Sequence, residues 1–424
     1  MKNYLLTAFC GLFILLFYSC NGQKKVDDSL VSIDVEANLK RQEIITLSGF
    51  AKDIRYVPLE TFENMNFTGI WDCEFSDELI LAKDLTKCIL YSSNGRVIAK
   101  VGNRGRGPGE YSYVSNVNFG PEGIIFMQSG FDLFEYDYSG NFIRKHGNTF
   151  YKNETYSIRS WFVINDSLFL GHIPNMTGNI DNKALLINKN GDILSYFKNY
   201  ILFNRKKPVS SYIENQASFY QFENEVFYND LYNDTLFSLN SRYDLVPKYN
   251  FTLGRFKEPI SERAKLIGSD QSKYIYIWNI FQTADYLFLK CQFNENFPAK
   301  RLNPKPAPID GFPPILYNTS FALGIYNKNT GDLVFSKPTS TDNPLFTTGL
   351  YNDIDNGPRF LPQKQINDST MVMWIESKQL KEHIASDDFK NDSPKYPEKK
   401  KELEILANSL SEFDNPVLMF VTFK

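Results

Sequence analysis

Four times in this chain an apolar strand runs into a small polar residue and a glycine, then straight on into a second strand. The stretches are YSSNGRVIAK, YDYSGNFIRK, INKNGDILSY and YNKNTGDLVF, with glycines at Gly95, Gly140, Gly191 and Gly331. Each reads as a hairpin whose tight turn needs positive φ, which Gly and Asn adopt at little cost. Gly95 and Gly140 stand 45 residues apart, Gly140 and Gly191 51. A unit of that length made only of strands predicts the blades of a β-propeller.

With the turn as a ruler, six units emerge. Blade one runs from about Gly69 to Val101 and blade two from about Val114 to Lys145. Blade three spans roughly Ser157 to Tyr200. Blade four covers Ala217 to Leu253, with a degenerate turn at Asn240-Ser241-Arg242 in which Arg242 stands where the glycine would. Blade five, Tyr274 to Lys337, carries a proline-rich insertion, 297–314, that cannot join a ladder and reads as a rim loop. Blade six has strands near Arg359–Gln365 and Thr370–Glu376, helices over Ser377–Ile384 and Pro397–Leu410, and a last strand in NPVLMFVTFK. Leu403, Leu406, Ala407 and Leu410 give the second helix one apolar face. The charged stretch between the helices, SDDFKNDSPK, reads as a mobile solvated loop.

Six four-stranded units leave one strand to place, and DIRYVPLE (Asp53–Glu60) is the candidate to complete the last blade and close the ring. Runs such as LILA, IIFM, LFLG, LFLK and MVMW do not alternate apolar with polar, as middle strands covered on both faces by neighbouring blades should not. The composition agrees: 42% hydrophobic residues, 36 Phe and 25 Tyr fill a large core and favour strands. The fold class expected is all-β, a six-bladed propeller with a short helical excursion in the last blade.

Residues 1–19 read as an export signal, with Lys2 ahead of an apolar run from Leu5 to Tyr18 that is too short to span a bilayer. Tyr18-Ser19-Cys20-Asn21 resembles the lipobox of bacterial lipoproteins, which implies a lipid on Cys20, a tether over 20–43 and a propeller domain over 44–424. Removing Lys2 with the leader leaves 45 Lys and Arg against 49 Asp and Glu. No basic field is present to hold a nucleic acid. Cys73, Cys88 and Cys291 remain in the domain; the odd count, with Cys73 and Cys88 on the first and third strands of one blade, predicts buried thiols rather than a disulfide framework.

The whole mature chain resembles the bacterial six-bladed β-propeller lipoproteins, a largely uncharacterised envelope family distantly similar to NHL-repeat propellers. YVPLE at Tyr56–Glu60 resembles its opening strand, GNRGRGPGEY at Gly102–Tyr111 its glycine-rich first interblade loop, YNDTLFSL at Tyr232–Leu239 its mid-chain strand, and NPVLMFVTFK its end. The resemblance implies the fold and a lipid-anchored place in the envelope of a Gram-negative-type bacterium, periplasmic or at the surface. It supplies no activity.

The candidate site is that loop. Its glycines bring backbone N–H groups together, and Arg104, Arg106, Glu110 and Tyr111 suit a carboxylate, sulfate or phosphate. The competing reading is architectural: glycines meeting φ demands, with Glu110 pairing to an arginine. No lysine with Ser or Thr follows to make a P-loop. His146, His172 and His383 lie too far apart in sequence for a three-histidine zinc site, no Gly-x-Ser-x-Gly elbow is present, and no metal or cofactor is expected. Asp72, Asp132, Asp230 and Asp285 are the carboxylates a channel-centred hydrolase or lyase would draw on. Tyr111, Tyr113, Trp161, Trp278 and Trp374 either stack on sugars or fill the core. The expected function is a lipid-anchored, non-catalytic binding or scaffold propeller for a peptide, glycan or protein, met on the face bearing the Arg104 loop and the 297–314 insertion. The rival is a hydrolase or lyase acting on carbohydrate or peptide.

Overall fold

The computed structural model describes residues 30–62, 65–130, 132–146, 158, 160–205, 217–265, 273–293, 321–337 and 348–424. The expected export signal over residues 1–19, Cys20 and the expected 297–314 insertion lie outside these residues. Six antiparallel sheets form the blades of a propeller. From inner to outer strand, blade one is Asp72–Phe75, Leu79–Lys83, Cys88–Ser92 and Val97–Lys100; blade two is Asn116–Phe119, Ile124–Ser129, Asp132–Asp137 and Phe142–His146. Blade three is Ser160–Asn165, Leu168–His172, Asn182–Asn188 and Ile193–Lys198; blade four is Ala217–Phe222, Glu225–Asp230, Thr235–Leu239 and Leu245–Thr252. Blade five is Tyr276–Gln282, Tyr286–Gln292, Phe321–Asn327 and Leu333–Ser336. Blade six is Lys364–Gln365, Thr370–Ile375, Val417–Phe423 and, from the other end of the chain, Ala51–Pro58.

That last strand closes the ring as expected, with Val421 opposite Ile54 and Leu418 opposite Val57. Apolar clusters fill the junctions between blades: Tyr91 and Ile80 with Leu418 and Val372 between blades six and one, Leu81 and Leu90 with Val117 and Met127 between one and two, and Leu170 and Leu186 with Val226 and Tyr228 between three and four. A middle strand such as Leu79–Lys83 therefore buries both faces, and its sequence cannot alternate. Each such Leu or Ile contributes about 1.5–3 kcal/mol of burial. Cys73, Cys88 and Cys291 are free thiols, fully buried in these packings.

Three expectations change. Residues 31–43, assigned above to the tether, are built into the domain: Val31–Asp34 adds in parallel to the outer strand of blade four, and Gln42–Glu43 to that of blade five. The short helix Val35–Asn38 links them, capped by Asp34, whose carboxylate accepts from Ala37 N at 2.9 Å. The cause is a brief apolar alternation inside a polar stretch, since Ile33 and Val35 are buried while Ser32 and Asp34 face out. SDDFKNDSPK is not a loose loop either. It forms a helical turn, Asp387–Asn391, that buries Phe389, and the Tyr351 hydroxyl donates to Asp392 at 2.9 Å. In blade four the residue standing for the glycine is Tyr243 (φ 62°), not Arg242. Asn240 Oδ1 accepts from the amides of Arg242 and Asp244, as Asn188 does around Gly191, so the turn is set by the Asx residue three positions earlier.

The helical excursion in blade six comprises Ser377–Ala385, Asp387–Asn391 and Pro397–Ser409. Leu403 and Ala407 of the last helix pack against Leu380 and Ile384 of the first, beside Met419 and Val421. Among the described residues, no helix is long and apolar enough to cross a membrane.

Candidate functional site

Antiparallel connectivity sorts the loops into two sets. Turns from first to second and from third to fourth strand lie on one side and are short, five residues at the longest (240–244 and 328–332). Connections from second to third strand, and crossovers from each outer strand to the next blade, share the other side; at the rim the two sets meet, where Gly102 N donates to Gly140 O at 3.0 Å. Among the described residues this crossover face carries 101–115, 173–181, 199–205, 253–265 and 376–416.

The predicted loop is on this face, but its concavity is filled from within. Glu110 accepts from Gly107 N at 2.7 Å, and a Cβ on Gly105 would lie 1.9 Å from Glu110 Oε2. The cradle foreseen for an external anion thus holds the loop's own carboxylate. Tyr111 is fully buried in the junction of blades one and two, so its assignment as a ligand contact is corrected: it is a core residue. Arg104 and Arg106 stay exposed, Arg104 donating from Nε to Ser112 O at 3.0 Å.

The four aspartates do not converge. Asp132 pairs with Lys145 at 2.8 Å, and Asp285, on the hairpin side, accepts from Asn329. Asp72 joins a charged group at the crossover end of the inner strands, where Lys364 from blade six reaches Glu74 and, at 3.5 Å, Asp72 of blade one. Buried Lys83 stands opposite Asp72 in the ladder. Burial lifts the Glu74 carboxyl to about 7 against the pull of Lys364. Lys364 spans both carboxylates, which makes this group an ionic seam between blades. Glu74 was missed in the sequence, although Asp-Cys-Glu on a strand sets both acids on one face.

The histidines are separate as well. His146 meets Glu135 at 2.6 Å, and His383 donates from Nε2 to the Asn356 carbonyl oxygen at 2.7 Å. Among the described residues, no group of three His, Cys, Asp or Glu is placed to hold a metal ion. Trp161 is core, edge-on to Phe126 and Phe169, whereas Trp278 and Trp374 are half-buried, Trp374 donating to Ile70 O at 3.1 Å.

A small polar cleft of about 20 Å³, room for about one water molecule, opens on the crossover face where blades three and four meet. His172, Lys183, Asp230, Tyr232 and Arg263 supply its chemistry. Its wall is rigid: Asn175 Nδ2 donates to Ile201 O and Asn199 Nδ2 to Ile180 O, both at 3.1 Å, tying the blade-three loop to the following crossover. The Tyr228 hydroxyl sits 2.9 Å from His172 Nδ1 and 3.3 Å from Lys183 O. Arg263, 8% exposed, lies with its guanidinium 3.5 Å from the Tyr232 ring centre. Lys183, 7% exposed, lies with its ammonium 3.1 Å from the centre of the Phe237 ring. Burial brings that ammonium down to about 8, with Asp230 opposing.

A family model, a domain of unknown function designated DUF4934, matches residues 30–422. The chain belongs to this DUF4934 family. The match begins at the added edge strand, so residues 31–43, a strap over the edges of blades four and five, belong to the family's domain. Among solved structures, a Bacteroides fragilis protein assigned as exported is 15% identical, covers 93% of this chain and 100% of its own, and superposes with a TM-score of 0.63. A DUF4221 family member from Bacteroides vulgatus is 11% identical, with 88% and 97% coverage and a TM-score of 0.47. The first likeness establishes a shared fold. No curated protein matches the chain.

Proposed function

We propose that this DUF4934 protein is a non-catalytic binding or scaffold module of the cell envelope, exported by its leader, anchored through a lipid on Cys20 and facing a peptide, glycan or protein partner with its crossover face. The observation that carries this reading is the asymmetry between the two sides. The hairpin side has turns of five residues or fewer, while the crossover face holds the long connections, the helices of blade six and the polar cleft. Loops on a rigid scaffold are where binding is built. The exported relative of the same fold fits the envelope location.

Photo-crosslinkers at exposed positions test it in intact envelopes. Positions 104, 106 and 200 lie on the crossover face, and 94, 190 and 329 in the hairpins. The expected result is one recurrent adduct from the first set and none from the second. Equal capture from the hairpin set contradicts the proposal. Turnover of glycans or peptides by the native chain, lost in Glu74→Gln, would favour the hydrolase or lyase instead.

A further inference from the structure

We infer that the turn carrying Phe413, together with the neighbouring Phe62, is a docking point for a partner protein that offers an apolar pocket rimmed by lysine or arginine. This rests on the binding-module reading and gives its partner a chemistry and a place. Phe413 is 80% exposed, the only described phenylalanine more than half exposed, and Phe62 is 47% exposed. Both lie on the crossover face at the junction of blades six and one. Phe62 stands in the crossover 59–71, and Phe413 in the turn that follows the helix Pro397–Ser409.

A solvent-facing ring on a loose loop would call for no account. These loops are not loose. Asn415, 1% exposed, ties them together: its side chain accepts from Phe67 N at 2.8 Å and donates to Glu60 O at 3.0 Å and Met65 O at 3.3 Å, while its backbone N–H donates to Thr61 Oγ1 at 2.8 Å. Met65 N donates to Phe62 O at 2.9 Å, and Asn66 Nδ2 to Phe413 O at 3.4 Å. Within the turn, Ser411 N donates to Asp414 Oδ2 at 2.7 Å. The backbone on either side of both rings is thus fixed while the rings stay in water, which lowers the ordering cost of binding through them. The charges choose among occupants. Glu412 and Asp414 flank Phe413, and Lys381 is spent on the helix-end carbonyls of Ala407 and Leu410, at 3.2 and 2.8 Å. An aromatic tip between two carboxylates is repelled by an anionic bilayer and suits an apolar pocket with a cationic rim.

Photo-crosslinkers at positions 62 and 413 in intact envelopes test it. Both should give an adduct with the same polypeptide, and mass spectrometry should map the linked segment to apolar residues flanked by lysine or arginine. With the crosslinker at 62, Phe413→Ala should cut the yield about tenfold or more and Glu412→Lys about fivefold or more. Glu404→Lys, exposed on the preceding helix, should leave it unchanged. Each variant should melt with the native chain, because none of the three side chains is buried. Adducts with lipid, no adduct at either position, a linked segment without basic residues, or a yield unchanged by Phe413→Ala or by Glu412→Lys overturn the inference. Recurrent adducts at 104, 106 or 200 alongside such a result would leave the binding-module reading standing and remove only this docking point.

Discussion

Blades one to three and blades four to six solve the same problem in different ways. In the second half the N-terminal segment laces the outer edges: it pairs with blade four, then blade five, and then becomes the outer strand of blade six. In the first half no further strand adds to the outer edges among the described residues, and these strands carry exposed Ile98, Phe142, Ile143, Leu194 and Tyr196. The lesson extends to how blades are held to each other. In the open half Gly95 and Gly140 press on the preceding blade, Glu60 N donating to Gly95 O at 2.8 Å and Gly102 N to Gly140 O at 3.0 Å. A Cβ at Gly95 would meet Pro58 O at 2.1 Å, and one at Gly140 would meet Lys100 O at the same distance. Gly331 of blade five has only the Tyr326 hydroxyl at 3.9 Å. There the strap does the joining, with Arg41 bonded to Asp332 at 3.1 Å and Phe335 N donating to Arg41 O at 2.8 Å.

The largest effect should come from removing the strap. A chain starting at Ile44 loses the burial of Ile33 and Val35, a cost on the order of 4 kcal/mol. Amide exchange should rise in blades four and five and far less in blades one and two. Uniform loss around the ring would break the comparison. Next in size, Gly140→Ala combines a left-handed φ of 80° with a backbone clash and should cost about 2–3 kcal/mol by thermal unfolding. Gly331→Ala meets only the φ penalty and should cost about 1 kcal/mol. Equal losses would mean that the glycines mark turns and nothing more. The smallest effect is expected at the bare edges, where Ile143→Lys should shift stability by less than about 0.5 kcal/mol and reduce self-association in sedimentation.

The fold was legible because its signals are local and repeated: turn, apolar run, turn. Blade count, the closing strand at 53–60 and the helical face at Leu403 and Ala407 all followed from periodicity. The strap was not legible, because four residues of alternation, Val31 to Asp34, are indistinguishable from a polar tail until the edge they cover is known. The Arg104 loop drew attention through composition, yet a glycine-rich loop serves its own Glu110 as readily as a ligand. The cleft was nearly invisible. Lys183 and Asp230 stand at the ends of two strands and Arg263 in a crossover helix, brought together only by the packing of blade three on blade four. Asp230 and His172 were noted separately and not as neighbours, and Lys183 was hidden by sitting one step ahead of an apolar run.

The central claim of the proposed function is that recognition belongs to the crossover face and not to the hairpin side. Hydrogen exchange on the full chain, alone and joined to the partner captured by the crosslinker at position 104, tests it most directly. Protection should concentrate in the crossover residues 101–115, 173–181, 199–205 and 376–416. Protection instead along the bare strands Val97–Lys100, Phe142–His146 and Ile193–Lys198, or in the hairpin turns, would contradict it.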